Sequence, residues 1–368
     1  MIKVKRIIFG CLLFALVVIY CPAVFGQVVL SYEQALELAL EDLSAIHNLE
    51  IQINTHGSEI DRIRRVLQEF ICEDEHTREN HRKQITNHEQ HIRYLHLSGE
   101  IINANTERSL RNALVNISVT ENHIKIAEAR LVLQEENLRR VIIMHRFGLT
   151  STQALQAAKR SVTERHMELD RLFLTEYDQR QALNHILQQP LYQMTRVEFT
   201  AELPELPEDL DLYIESLIPQ TPAIRQTQIN IETRREERDF FLRRNMTSAY
   251  RQSNVWRFSD DGLQYTWNEL VNGYETAVRE RDTAIHVMEA NIRAAYNYIT
   301  LLINQKAAGL SALEQAIYDL NSTHKLLELG RVTPFEVENA RFSVLERELT
   351  LLNTYYQLWL AGLSLANQ

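Results

Sequence analysis

Glu328-Leu-Gly-Arg-Val-Thr-Pro-Phe-Glu-Val-Glu-Asn-Ala-Arg341 decides how the chain folds, because it stops one helix and starts another within a few residues. Gly330 stands where a helix ends by entering left-handed backbone space, which glycine does without Cβ strain. Thr333 is placed as the N-cap of the next helix. Pro334 takes the first helical position, and Glu336 lies three residues after the cap as its capping-box partner. The segment predicts helix, tight turn, helix.

Beyond the turn the apolar residues keep a sevenfold register. Phe335, Phe342, Leu349, Tyr356 and Leu363 form one column, and Val337, Val344, Leu351, Leu358 and Leu365 a second. Leu345, Leu352 and Trp359 form a third. Three columns make a stripe wider than the two-column seam of a dimeric coiled coil, so this helix should touch neighbours on two sides. Asn339, Glu346, Arg347, Glu348 and Asn353 fall on the remaining face, which is expected to be wet.

The composition agrees with long helices. In 368 residues there are only 10 Gly and 7 Pro, and Leu, Glu, Ala, Gln and Arg are abundant. Residues 1–26 have the pattern of a secretory signal: Lys3, Lys5 and Arg6, an apolar run from Ile7 to Tyr20, and small residues Val24 and Gly26 before a cut at Gln27. Cys21 raises a lipoprotein alternative, which Tyr20 disfavours. Without the signal, 36 Lys and Arg face 49 Asp and Glu, an acidic balance that argues against nucleic acid as a partner. Cys72 is then the only cysteine, so helix packing rather than a disulfide must hold the fold.

Five of the seven prolines (Pro190, Pro204, Pro207, Pro219, Pro222) cluster in one window, Leu187 to Pro222. They divide the chain into a signal at 1–26, a first repeat at 27–189, a linker and start of the second repeat at 190–222, and a second repeat at 223–368. The halves resemble each other. Arg146-Phe-Gly-Leu-Thr-Ser-Thr152 precedes Leu155, Val162, Glu164, Arg165 and Leu169, just as Leu329-Gly-Arg-Val-Thr333 precedes Val337, Val344, Glu346, Arg347 and Leu351. Gly148 and Gly330 are 182 residues apart, a whole number of heptads, so the columns stay in phase. Ser31-Tyr-Glu-Gln-Ala-Leu-Glu-Leu-Ala-Leu40 opens the first half with a capping pattern, and Leu210 to Ile224 opens the second. An internal repeat is the strongest organising signal.

The halves differ in their middles. Cys72 to His91 is charged and histidine-rich and reads as a solvated helix or helical turn with no strand pattern. Asn245 to Trp267 is aromatic: Tyr250, Trp256 and Phe258 precede Ser259-Asp-Asp-Gly262, and Leu263, Tyr265 and Trp267 follow at period two. That predicts a short β-hairpin turning at Ser259–Gly262. The helix from Asn268 to Leu329 would run about 90 Å at 1.5 Å per residue, which calls for bundling between chains.

A duplicated, secreted, long-helix chain with a glycine turn in each half resembles the TolC family of outer-membrane efflux proteins. The carrying stretches are Leu329–Arg341, Phe147–Thr152 and Leu30–Ala39, and the resemblance covers nearly all of the mature chain. It implies a mainly α fold: long antiparallel helical hairpins in two tandem repeats, assembled as an oligomeric α-barrel. It further implies a homotrimer in the cell envelope and outer membrane, serving efflux or type I secretion as a passive conduit. Its partners would be a periplasmic adaptor and an inner-membrane pump. Gly148, Leu149, Thr150 and Ser151, with Gly330, Arg331, Val332 and Thr333, would be the adaptor-docking turns. Trp256, Phe258, Tyr265 and Trp267 would mark a membrane-proximal hairpin.

The sequence departs from that family in one respect. The family places two membrane-spanning strands in each half, and a spanning strand needs about 9–11 residues. The first half has no such pattern and the second has at most one hairpin. A trimer would then supply six strands, below the eight of the smallest barrels. Either the pore closes differently, or the chain is a helical tunnel without its membrane barrel. The alternative is an extracytoplasmic coiled-coil scaffold that links envelope components without conducting.

Chemistry is not evident. There is no phosphate-cradling glycine loop and no nucleophile elbow. His76, His81, His88, His91 and His96 cluster with Glu75, Glu79 and Glu89, but His88-Glu-Gln-His91 is one residue short of zinc-protease spacing. Asp260 and Asp261 read as turn residues. The expectation is no enzyme, no cofactor and no metal.

Overall fold

The structure is a computed structural model and describes residues 28–41, 43–69, 74–252 and 255–366. The signal segment 1–26 and Cys72 lie outside the described residues. The fold is mainly α. In chain order its elements are β1 (Val28–Ser31), α1 (Tyr32–Glu41), α2 (Ser44–Glu69), α3 (Glu75–Arg146) and α4 (Thr152–Ile186). Then come β2 (Thr195–Glu198), α5 (Leu210–Leu217), α6 (Pro222–Arg244), β3 (Ala249–Gln252), β4 (Val255–Phe258), α7 (Asp261–Glu328) and α8 (Pro334–Ala366). The series strand, short helix, helix, long helix, turn, helix occurs twice.

The strands form two separate pairs. β1 and β2 run parallel with Val28 opposite Thr195, and β3 and β4 run antiparallel with Ala249 opposite Phe258. Among the described residues no strands close into a barrel. Among the same residues no helix is long and apolar enough to cross a membrane.

The chain divides into two units. The first gathers residues of 28–41, 106–204 and 299–362. Ser31 caps α1 with the expected box: its hydroxyl accepts from the Gln34 N–H, and the Gln34 side chain accepts from the Ser31 N–H. Ala35 and Ala39, one helical turn apart and fully buried, let α1 approach Leu110, Leu114, Leu183 and Trp359 closely. Arg111 is the polar element of this core. It donates to Tyr32 Oη at 2.8 Å and to Glu107 at 2.7 Å, and its guanidinium lies 4.7 Å from the Trp359 ring centre. Burial pushes the Tyr32 hydroxyl above its usual range, which keeps it protonated as the donor to Glu107.

The proline-rich window is not a loose tether. It contributes β2 to the parallel pair. Buried Asn184 donates to the carbonyls of Pro190, Leu191 and Gln193, which fixes the chain after α4 while Gln188 turns left-handed at φ +54°. Pro204 packs so tightly on Gly362 that a Cβ built there would lie 2.7 Å from the Pro204 Cβ.

The second unit gathers residues of 43–105, 205–298 and 363–366. Asp209 caps α5 by accepting from the Asp211 and Leu212 N–H groups. Polar pairs tie α3 to α6: buried Gln90 donates to Glu236 and accepts from Thr233, and Arg243 reaches Glu79. The histidine-rich stretch after Asp74 is helical throughout, as its charge pattern predicts.

Candidate functional site

The two glycine turns lie in the first unit and have one geometry. Gly148 sits at φ +71° and Gly330 at φ +68°. The Gly148 N–H donates to His145 O at 3.0 Å and the Leu149 N–H to Met144 O at 2.8 Å. The Gly330 N–H donates to Leu327 O and the Arg331 N–H to Leu326 O, both at 2.8 Å. These are paired Schellman bonds, which satisfy the last carbonyls of α3 and α7.

Capping starts the next helix on each side. The Ser151 hydroxyl accepts from the Ala154 N–H at 3.1 Å. At the second turn the Glu336 carboxylate accepts from both the N–H and the hydroxyl of Thr333, at 2.6 and 2.9 Å. The Thr333 backbone bond, then its hydroxyl, with Arg140 adding its charge, hold the Glu336 carboxyl below the usual range. The first turn carries an extra tie that the sequence did not signal: His145 Nδ1–H donates to the Thr150 carbonyl at 3.1 Å.

The turns expose apolar surface. Leu149 is 71% exposed and, immediately before the glycines, Phe147 and Leu329 are 76% and 67% exposed. Arg331, Ser151 and Thr333 are exposed, whereas Thr150 and Val332 are half-buried. Phe147 and Leu329 were not among the residues singled out from sequence. The available signal was an apolar side chain at the same place before the stop in both halves.

α3 and α8 pack along a groove of about 660 Å³ with Val132, Leu133, Phe335, Phe342 and Leu345 in its lining. Arg140 lies over the Phe335 ring at 4.5 Å and Arg130 over Phe342 at 5.4 Å. Two residues expected on the wet face of α8 belong to this packing instead. Glu346 pairs with Arg130 at 2.8 Å, and Asn353 accepts from Asn122, itself only 2% exposed. Their polarity is matched by a polar partner on α3, which a hydropathy pattern does not reveal. Asn339, Arg347 and Glu348 are exposed as expected, and of the apolar columns only Leu352 is exposed.

The aromatic stretch lies in the second unit and corrects the expected register. The hairpin is real but consists of β3 and β4, and Ser259–Gly262 does not form its turn. Asp260 instead caps α7, its carboxylate accepting from the Leu263 N–H at 2.9 Å. Tyr265 and Trp267 are therefore helical. Leu263 and Trp267 are four residues apart, a spacing shared by a strand face and a helix face, and the aspartate cap resolves the ambiguity. Phe258 and Trp267 do come together, 5.8 Å apart and buried, with Phe241 at 5.5 Å from Phe258. Trp256 is half-buried and Tyr265 is 65% exposed.

The histidines form a different arrangement from the one the local motif suggested. His88 is joined by His56 of α2, their Nδ1 atoms 2.7 Å apart, with His91 ring-to-ring against His56 at 4.4 Å. Among the described residues no three His, Cys, Asp or Glu side chains are placed to hold a metal.

Solved structures share this architecture. A membrane protein from Pseudomonas aeruginosa matches with a TM-score of 0.67 at 12% identity, over 90% of this chain and 92% of that one. The Campylobacter jejuni CmeC outer membrane channel matches at 0.68 and 10% identity, over 91% and 84%. The outer membrane protein VceC of Vibrio cholerae matches at 0.66 and 12% identity, over 90% and 94%. No protein-family model and no curated protein matches the sequence. At such low identity the likeness speaks for the fold alone, and it is decisive there: the chain has the TolC-like fold of outer-membrane channel proteins.

Proposed function

We propose that the chain is the subunit of a TolC-like export conduit in the cell envelope, working as a homotrimer with a periplasmic adaptor and an inner-membrane pump. The observation that carries this reading is the pair of matched glycine turns with exposed apolar residues, on a fold shared with outer membrane channels. Gly148 to Ser151 and Gly330 to Thr333 are the adaptor-docking turns. Opening follows when an adaptor engages them and the helix pairs they join move apart. The energy comes from the pump, because the chain carries no nucleotide-binding motif, and no residue is assigned a catalytic role. The residues 1–26 direct export.

A second reading has a specific observation behind it. The described strands are four residues long and form two separate pairs rather than a barrel, which favours a scaffold that links envelope components without conducting. Purified protein applied to planar lipid bilayers separates the two. Stepwise conductance supports the conduit, whereas an oligomer that stays soluble without detergent and enters no bilayer supports the scaffold.

A further inference from the structure

In the second unit α3 and α6 enclose a furrow of about 450 Å³ that no Asp, Glu, Lys or Arg lines. Of the whole chain, 24% is charged, so an uncharged lining sets this place apart. A second cavity on the same helix pair is its opposite in character, with Arg93, Glu100, Arg225, Glu232 and Arg281 around it. Two ion pairs, Arg93–Glu232 and Arg225–Glu100, join the helices there. The pair therefore carries its charge on one side and amides and hydroxyls on the other.

Helical spacing builds the furrow. Asn87, His91 and Tyr94 stand at i, i+4 and i+7 on α3, and Ala223, Thr227 and Asn230 repeat that spacing on α6. The floor is fixed by its own bonds. Gln90, 2% exposed, donates to Glu236 at 2.9 Å and accepts from Thr233 at 2.7 Å. Gln226 donates to Ser98 Oγ at 2.8 Å. The walls keep their capacity free: the carboxamides of Asn87 and Asn230 and the Tyr94 hydroxyl make no hydrogen bond among the described residues. Tyr94 is 41% exposed, and its ring lies nearly parallel to that of His91, with 8° between planes and 6.3 Å between centres.

This chemistry selects a ligand class. A carboxamide offers both donors and an acceptor, which matches adjacent hydroxyls that give and accept in turn. An aromatic face receives the C–H face of a sugar ring. An anion or a cation would find no opposite charge here for a charge-assisted bond. A wholly apolar ligand would strip water from the amides without replacing its hydrogen bonds. Asn87 to Tyr94 covers about 10 Å at 1.5 Å per residue, room for two linked sugar rings. We infer that the α3–α6 furrow is a binding site for neutral oligosaccharides, with Asn87 and Asn230 on hydroxyls and Tyr94 beneath a ring. This holds for a conduit and for a scaffold alike.

Saturation-transfer NMR on the purified full-length chain tests it, with maltotriose, cellotriose and chitotriose as probes. At least one should bind saturably, with a dissociation constant on the order of 1 mM or tighter. The affinity should hold steady as salt rises, because no charge pair is involved. Trigalacturonic acid, with a carboxylate on each ring, should bind much more weakly than the neutral sugar that binds best. Tyr94→Ala should weaken binding roughly tenfold. Asn230→Asp, which keeps the shape and removes the donors, should weaken it too, whereas Arg225→Gln in the charged cavity should leave it unchanged. Failure of all the neutral sugars, equal binding of the acidic one, or an affinity that collapses with salt would overturn the assignment. So would an oligomer that dissociates on Tyr94→Ala while no sugar binds, which would make the furrow a contact between copies. The comparison of neutral and acidic sugars uses the parent chain, so it decides the question even if a variant misfolds.

Discussion

Gly148 and Gly330, 182 residues apart in the chain, adopt the same left-handed backbone and donate their N–H groups to the carbonyl three residues back in the same way. A Cβ at either position would meet nothing within 4 Å. The demand for glycine is therefore a demand of backbone conformation and not of space. Gly330→Val should cost roughly 1–2 kcal/mol at the turn, because a β-branched residue is strained there. Gly330→Asn should stay close to the parent, since asparagine tolerates left-handed space. Denaturant unfolding measures both, and export or adaptor binding should follow the same order. A valine variant with parental stability and docking would remove the turn from the account.

Asn122 and Asn353 form a polar tie between α3 and α8 that can be isolated by a double-mutant cycle. Asn122→Leu leaves the Asn353 carbonyl without its donor and should destabilise by about 1–3 kcal/mol. The Asn122→Leu, Asn353→Leu double variant should recover much of that loss, because no polar group is then left unpaired. Strict additivity would show that the two side chains act independently.

Gly362 is set by contact rather than by conformation. Gly362→Ala should destabilise by about 1–3 kcal/mol, because its Cβ would press into Pro204. Pro204→Ala in the same chain should relieve part of the loss, as read from the denaturation midpoint.

His56 and His88 make stability depend on pH. With Nδ1 atoms 2.7 Å apart, one ring must be neutral to accept from the other. Burial first, then the charges of His91 and His88, hold His56 below the usual histidine range. The unfolded chain therefore binds more protons in that window. The contribution is fully present above the ordinary value of about 6.5 and is lost as pH falls through it toward the folded value. The Arg64–Glu89 pair lies nearby, with Arg64 Nη2 at 3.0 Å from the Glu89 carboxylate. His56→Asn should flatten the fall in stability between neutral and mildly acidic pH, measured by unfolding at matched salt.

Much of this was legible in the sequence because it rests on local physics. The stop at Gly330, the cap at Thr333, the box at Ser31 and Gln34, and the phase of the α8 columns all depend on residues within a few turns of one another. What was not legible depends on distant partners. Glu346 and Asn353 look like surface residues until Arg130 and Asn122 are brought alongside. His56 is 32 residues from His88, so the local histidine motif did not point to it. The hairpin register failed for a different reason. Ser259-Asp-Asp-Gly262 carries both turn and helix-cap signals, and only the Asp260 bond to the Leu263 N–H separates them.

The central claim is that copies of this chain close around a bore. Single-particle imaging of the purified full-length protein tests it most directly. The account predicts a ring of three copies with a water-filled lumen along the helices. A monomer, or a bundle whose axis is filled by side chains, would contradict it.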